Sequence, residues 1–129
     1  ARVYQRLMGD PDLAVLIGSA VYDAPPPILP DTLSPDFITL GAETVRPFDT
    51  KTRAGSLHEF AVNVHSGRDG FDFVKRVAAA VCAALIDAPL MLDAGRLVAL
   101  RFLRASAERG PAPEKRRITL RFRAVVDQD

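Results

Sequence analysis

The chain has 129 residues, is 48% hydrophobic and 26% charged, and carries a formal net charge of +1. That length fits one domain, 1–129, which can bury roughly two thirds of the surface its unfolded chain would expose, so neither a disulfide nor a metal is needed to hold it together. Cys82 is the single cysteine, which excludes an intrachain disulfide and a thiolate metal cluster. The longest strongly apolar run, Val77 to Ile86, is about half of what a membrane span needs. The opening residues, Ala1 to Arg6, are polar and show no signal-peptide pattern. The sequence starts without Met inside a helix-compatible segment, which is the expectation for an N-terminus either missing some sequence or processed.

Charge is unevenly spread. Residues 1–95 hold 8 Lys/Arg against 12 Asp/Glu, whereas residues 96–123 hold 9 Lys/Arg against only Glu108 and Glu114. A basic C-terminal third therefore faces an acidic remainder, an arrangement suited to self-association or to an anionic partner.

Arg2 to Met8 is helix-compatible. Asp10-Pro11 reads as an N-cap with proline at the first helical position, Leu13, Leu16 and Ile17 form an apolar stripe, and Gly18 ends the helix. Val21-Tyr22 starts a short strand. Pro25, Pro26, Pro27, Pro30 and Pro35 then demand extended chain outside any sheet interior. Phe37 to Val45 reads as a strand with Phe37, Thr39 and Gly41 on one face and Ile38, Leu40 and Ala42 on the other.

Arg46 to Ser56 is a polar connection, longer than a usual hairpin loop, and long ordered loops tend to bind something. Leu57 to Ser66 alternates, with Phe60, Val62 and Val64 opposite Glu59, Asn63 and His65. Asp69 can cap a helix spanning about 70–87 and ending before Pro89, with Asp72 in its first turn. Phe71, Val74, Val77, Ala78, Val81 and Leu85 line one face of it, and Ala79, Ala80 and Ala83 line the back. Good helix propensity explains those alanines as simply as a close backbone approach does.

Leu97 to Ala107 is a strand placing Val98, Leu100 and Phe102 on one face. Ala107 to Lys115, with Gly110, Pro111 and Pro113, is a turn. Arg117 to Val126 is the clearest strand: Ile118, Leu120, Phe122, Ala124 and Val126 alternate with Arg117, Thr119, Arg121 and Arg123. The order predicts an α+β fold, a mostly antiparallel sheet of four to five strands with the long helix packed on one face and a short helical segment at the N-terminus.

Motifs for chemistry are missing. His58 and His65 are seven apart on one strand, so they face opposite ways and cannot share a metal. His58-Glu59 opens like a zincin motif, but Val62 stands where the second His belongs. No phosphate-cradling glycine loop, dinucleotide fingerprint or nucleophile elbow is present. Cys82 borders the apolar stripe without a cationic neighbour and reads as a buried, inert thiol. Asp69 and Asp72 are explained by helix capping rather than acid–base work. Neither catalysis nor a cofactor is expected.

Lys115, Arg116, Arg117, Arg121 and Arg123 make a cationic ribbon. It could neutralise phosphates, although no aromatic residue interleaves on its face for base stacking. The acidic remainder of the chain would also repel DNA, so the favoured reading is a solvated strand or one whose arginines pair with carboxylates of a neighbouring subunit.

Several short segments together resemble a known family. Asp10-Pro11-Asp12-Leu13, Leu16-Ile17-Gly18 and Val21-Tyr22-Asp23-Ala24-Pro25 come first. Phe37-Ile38-Thr39-Leu40-Gly41 and Phe60-Ala61-Val62-Asn63-Val64 follow, then an alanine-rich helix and Leu120-Arg121-Phe122-Arg123-Ala124. Over nearly its whole length the chain is similar to the tail completion or tail terminator proteins of long-tailed phages and gene transfer agents.

The resemblance implies a virion protein assembled in the bacterial cytoplasm as a homo-oligomeric, hexameric ring. Its partners would be the tail tube protein and the head–tail connector or stopper, with DNA only in transit through the lumen and no membrane. The resulting expectations are that Arg46, Phe48, Asp49, Lys51 and Arg53 contact a neighbouring subunit or the tube, and that Arg117, Arg121 and Arg123 face an interface or the lumen. A nucleic-acid-binding module using the basic C-terminal strand is the alternative. A small oligomeric enzyme would need a polar pocket between subunits that the sequence does not advertise.

Overall fold

The computed structural model describes residues 2–18, 21–22, 36–47, 54–66, 71–86, 96–108 and 116–127. In chain order the elements are α1 (Arg2–Met8), α2 (Pro11–Ile17), β1 (Val21–Tyr22), β2 (Phe37–Pro47), β3 (Gly55–Ser66), α3 (Asp72–Ile86), β4 (Arg96–Glu108) and β5 (Arg116–Asp127). The five strands form one sheet in the order β1-β2-β3-β5-β4. Only β1 runs parallel to its neighbour; the other three pairings are antiparallel. The class is therefore α+β, because the sheet is mostly antiparallel and the helices are segregated to one face of it.

Alternation on β5 fixes which face the helices cover. Ile118, Leu120, Phe122, Ala124 and Val126 are all buried, and each pairs in register with an even-numbered residue of β3, from Val64 to Ser56. The helix α3 packs on β3, β5 and β4 from this side, and α1 and α2 pack against α3. Its buried residues are Phe73, Val74, Val77, Ala78, Val81, Ala84 and Leu85. The expected stripe is thus present, with Phe73 and Ala84 added and Phe71 half-buried just before the helix. Ala79 and Ala83 are exposed and Ala80 is half-buried. Leu7, Leu13 and Ile17 extend the same core beneath α1 and α2.

The caps follow local chemistry. Asp10 accepts a hydrogen bond from the Leu13 backbone N–H at 3.0 Å, which satisfies an orphan donor of α2. Gly18 closes α2 at φ 64°, the left-handed region where a side chain would be strained. No helix among the described residues is long and apolar enough to cross a membrane.

Three expectations need correction. The polar connection is shorter than 46–56: β2 runs through Pro47 and β3 starts at Gly55, with Arg46 opposite Leu57 and Pro47 opposite Ser56. Likewise Ala107 belongs to β4, which continues to Glu108. Strict alternation also fails at three points. Register shifts lie between Leu40 and Glu43 on β2, and between Leu97 and Ala99 and between Phe102 and Arg104 on β4.

Each shift is an extra residue that flips the parity of everything beyond it. Ala42 therefore does not continue the face of Leu40; Glu43 does, opposite Phe60. The shift between Leu97 and Ala99 falls at Val98, which interrupts the alternation expected from Val98 to Leu100 and Phe102. Gly41 has a steric reason: a Cβ there would lie 3.0 Å from the Ala61 Cβ on the central strand. The proline-rich stretch, the proposed Asp69 cap, and positions 70 and 87 of the expected helix lie outside the described residues.

Candidate functional site

The sheet is longer than the helix that covers it. Fifteen helical residues span about 22 Å, whereas the 12 residues of β3 and of β5 and the 13 of β4 reach about 40 Å. Val45, on the helix side near the end of β2, is 56% exposed, and Phe102, on the helix side of the edge strand β4, is 45% exposed. β4 is also an edge strand, and its residues 101–108 are all exposed. By contrast, the opposite edge is the two-residue strand β1.

The face away from α3 divides in two. At the β2–β3 end it is closed and ordered by polar contacts. Phe37, Thr39 and His65 are buried there; the Thr39 hydroxyl lies 2.8 Å from His65 Nε2, and the His65 ring stacks on Phe37 at 4.4 Å. Ser66, fully buried on the opposite face, donates a 2.6 Å hydrogen bond to the Asp36 carboxylate, and the Thr119 hydroxyl donates at 2.8 Å to Asn63 Oδ1. Burying such groups is tolerable because each finds a partner.

Over β4 and β5 this same face is open and cationic. Cross-strand register sets Arg101 opposite Arg123 and Arg104 opposite Arg121. All four are exposed. Arg123 reaches Glu59 at 3.6 Å, and Arg117 reaches Glu108 at 3.3 Å. Among the described residues, Arg101, Arg104 and Arg121 have no carboxylate within ion-pair distance. Like charges set directly opposite one another destabilise a strand pair.

Arg121 and Arg123 lie on the exposed face read from the sequence, and Arg117 is half-buried on it. Arg46 shares that face, exposed near the end of β2. Phe48, Asp49, Lys51 and Arg53 lie outside the described residues.

Arg101 and Arg104 escaped the sequence reading because residues three apart on a regular strand point to opposite faces. The shift at Leu103 brings them to the same one. The available signal was the adjacent apolar pair Phe102-Leu103, as Leu97-Val98 marks the other shift of this strand.

The two histidines do lie on opposite faces, since β3 pairs His58 with Ala124 and His65 with Arg117. His58 has its own network: Nδ1 lies 2.9 Å from Glu43 Oε1, and Nε2 lies 2.8 Å from the Ser56 hydroxyl. That connectivity matches a serine–histidine–carboxylate relay. Glu43 is 51% exposed, however, so its carboxylate is held in water rather than in the desolvated site such a relay uses. The chain of bonds ties the shifted end of β2 to β3. It went unread in the sequence because Glu43 reaches this face only through the register shift. Cys82 is half-buried and its thiol pKa is pushed up by burial, the direction opposite to an activated nucleophile.

The described residues thus offer an open edge and an arginine-rich face. Comparison with known proteins gives this arrangement a context. The model of the family described as tail completion protein gp17 matches residues 1–127. No curated protein matches the chain. Among solved structures, a chain of the virion of a native gene transfer agent particle superposes with a TM-score of 0.85 at 47% identity, over 97% of this chain and 91% of that one. The chain belongs to the tail completion protein family and is a structural protein of a virion tail.

Proposed function

We propose that this protein closes a hexameric ring on the last tier of the tail tube, ends tube growth and joins the tail to the head connector, with DNA passing through the ring. The observation that carries this reading is the similarity, over nearly the whole chain, to a component of a gene transfer agent virion. The asymmetry of the sheet supports it. A closed ring needs a heterologous contact, in which one side of the subunit meets a different side of the next. A long open edge at β4 and a blunt edge at β1 are two such unlike sides.

On this reading Arg46, with Phe48, Asp49, Lys51 and Arg53 of the β2–β3 connection, contacts the neighbouring subunit or the tube. No cofactor and no catalysis enter the role. Deleting Asp49–Ala54 should abolish head–tail joining while leaving the circular dichroism spectrum and the melting temperature of the domain close to wild type. Particles of normal transducing or infectious titre from that deletion would remove the connection from the joining surface.

A further inference from the structure

We infer that the open face of β4 and β5 is a phosphate-backbone contact surface for duplex nucleic acid, carried by Arg101, Arg104, Arg121 and Arg123. The register aligns these four side chains as two directly opposed pairs, Arg101 with Arg123 and Arg104 with Arg121. Neighbouring rows lie about 7 Å apart along a strand, and opposed residues are about 5 Å apart. Among the described residues, Arg123 alone of the four has a carboxylate within reach, Glu59 at 3.6 Å. Two arginine pairs repel each other across a strand pair, and a polyanion bound over them turns that repulsion into attraction.

Two observations choose the occupant. A second copy of the chain presents no matching row of carboxylates among its described residues. Glu59 and Glu108 each already face an arginine, Glu43 is hydrogen-bonded to the His58 ring, Asp10 caps its helix and Asp36 accepts from Ser66, which leaves Asp12 and Asp72 on separate helices and Asp127 at the end of β5. Duplex DNA, in contrast, carries one charge about every 1.7 Å of axis, so it can satisfy four arginines at once on a broad face.

The residues beside the arginines on this face include Ser106, Thr119 and Val125, with Glu59 opposite Arg123, none of them a stacking group. The aromatic residues of the same strands, Phe102 and Phe122, pack edge-to-face with each other at the helix-side positions. The contact is therefore to sugar–phosphate and indifferent to sequence. This assignment stands on the arginine face and does not depend on ring closure.

The test is fluorescence anisotropy of labelled mixed-sequence duplexes titrated with the full chain, first at about 50 mM salt and then at rising salt. Unrelated sequences should bind alike. The log affinity should fall against log salt with a slope of about 3 to 4, roughly 0.9 per phosphate contacted. R104Q/R121Q should keep its circular dichroism spectrum and lose about two units of that slope, whereas K75Q on the exposed side of α3 should change neither. R101Q alone, expected to lose about one unit, serves if the double variant does not fold. Absence of binding at about 50 mM salt, or a slope that R104Q/R121Q and R101Q leave intact, would overturn the inference. Competition by polyglutamate as effective as by unlabelled duplex would also overturn it, assigning the face to an acidic protein.

Discussion

On β5, residues one position apart have opposite fates. Ile118, Leu120, Phe122, Ala124 and Val126 are buried beneath the helices, while Arg121 and Arg123 stand in solvent beside Arg101 and Arg104 of the edge strand. The first set stabilises the fold. Phe122 is fully buried between Phe60, stacked at 5.4 Å, and Phe102, edge-on at 5.8 Å. The second set contributes at most the exposed Arg123–Glu59 ion pair, and its opposed like charges cost some stability. The inferred contact outside the subunit offsets that cost.

That contrast can be broken at four places. Phe122→Ala should be the most damaging, costing about 3–5 kcal/mol by lost burial and a residual cavity. Against a total of about 5–15 kcal/mol for a domain this would leave a marginal fold, visible as a large drop in the urea midpoint at unchanged slope. Gly41→Ala comes next. Its new methyl would meet the Ala61 Cβ at 3.0 Å, and Ala61 is held by neighbours on both sides in the central strand. Overpacking of this kind costs about 1–3 kcal/mol, measurable by the same denaturation curve.

On the open face the expected sign reverses. Arg104→Gln with Arg121→Gln should change stability by no more than about 0.5 kcal/mol, or raise it slightly, while impairing particle assembly or genome transfer. A large loss of stability from that pair would place those arginines in the fold's own support and erase the contrast between faces.

The smallest effect concerns Cys82. Burial raises its thiol pKa above the ordinary value, so folding favours the protonated form. Its contribution is full below the unfolded thiol pKa of about 8.5 and is lost as pH rises through the higher folded value. Thermal melts from pH 8 to 10 should therefore show a slightly steeper fall for the wild type than for Cys82→Ala. The thiol should also alkylate slowly near pH 8 in the native protein and quickly once it is unfolded.

The fold class was legible because β5 and the α3 stripe obey their periods without interruption, so burial could be read directly from Ile118 to Val126 and from Val74 to Leu85. Asp10-Pro11 located α2 because capping is local chemistry. The arginine face was half legible. Arg121 and Arg123 follow the alternation of their own strand, whereas Arg101 and Arg104 meet on one face only through the shift at Leu103. Register shifts depend on what the neighbouring strand presents, and one strand's sequence does not carry that. Glu43 became the partner of His58 by the same route, through the shift that Gly41 permits.

The proposed capping of the tail tube is read most directly by negative-stain electron microscopy of purified tail tubes assembled with and without the protein. Six-fold rings at one end of each tube, uniform tube length and competence for head attachment are expected when the protein is present. Tubes whose ends stay bare and whose lengths are unaffected by the protein would contradict the proposal.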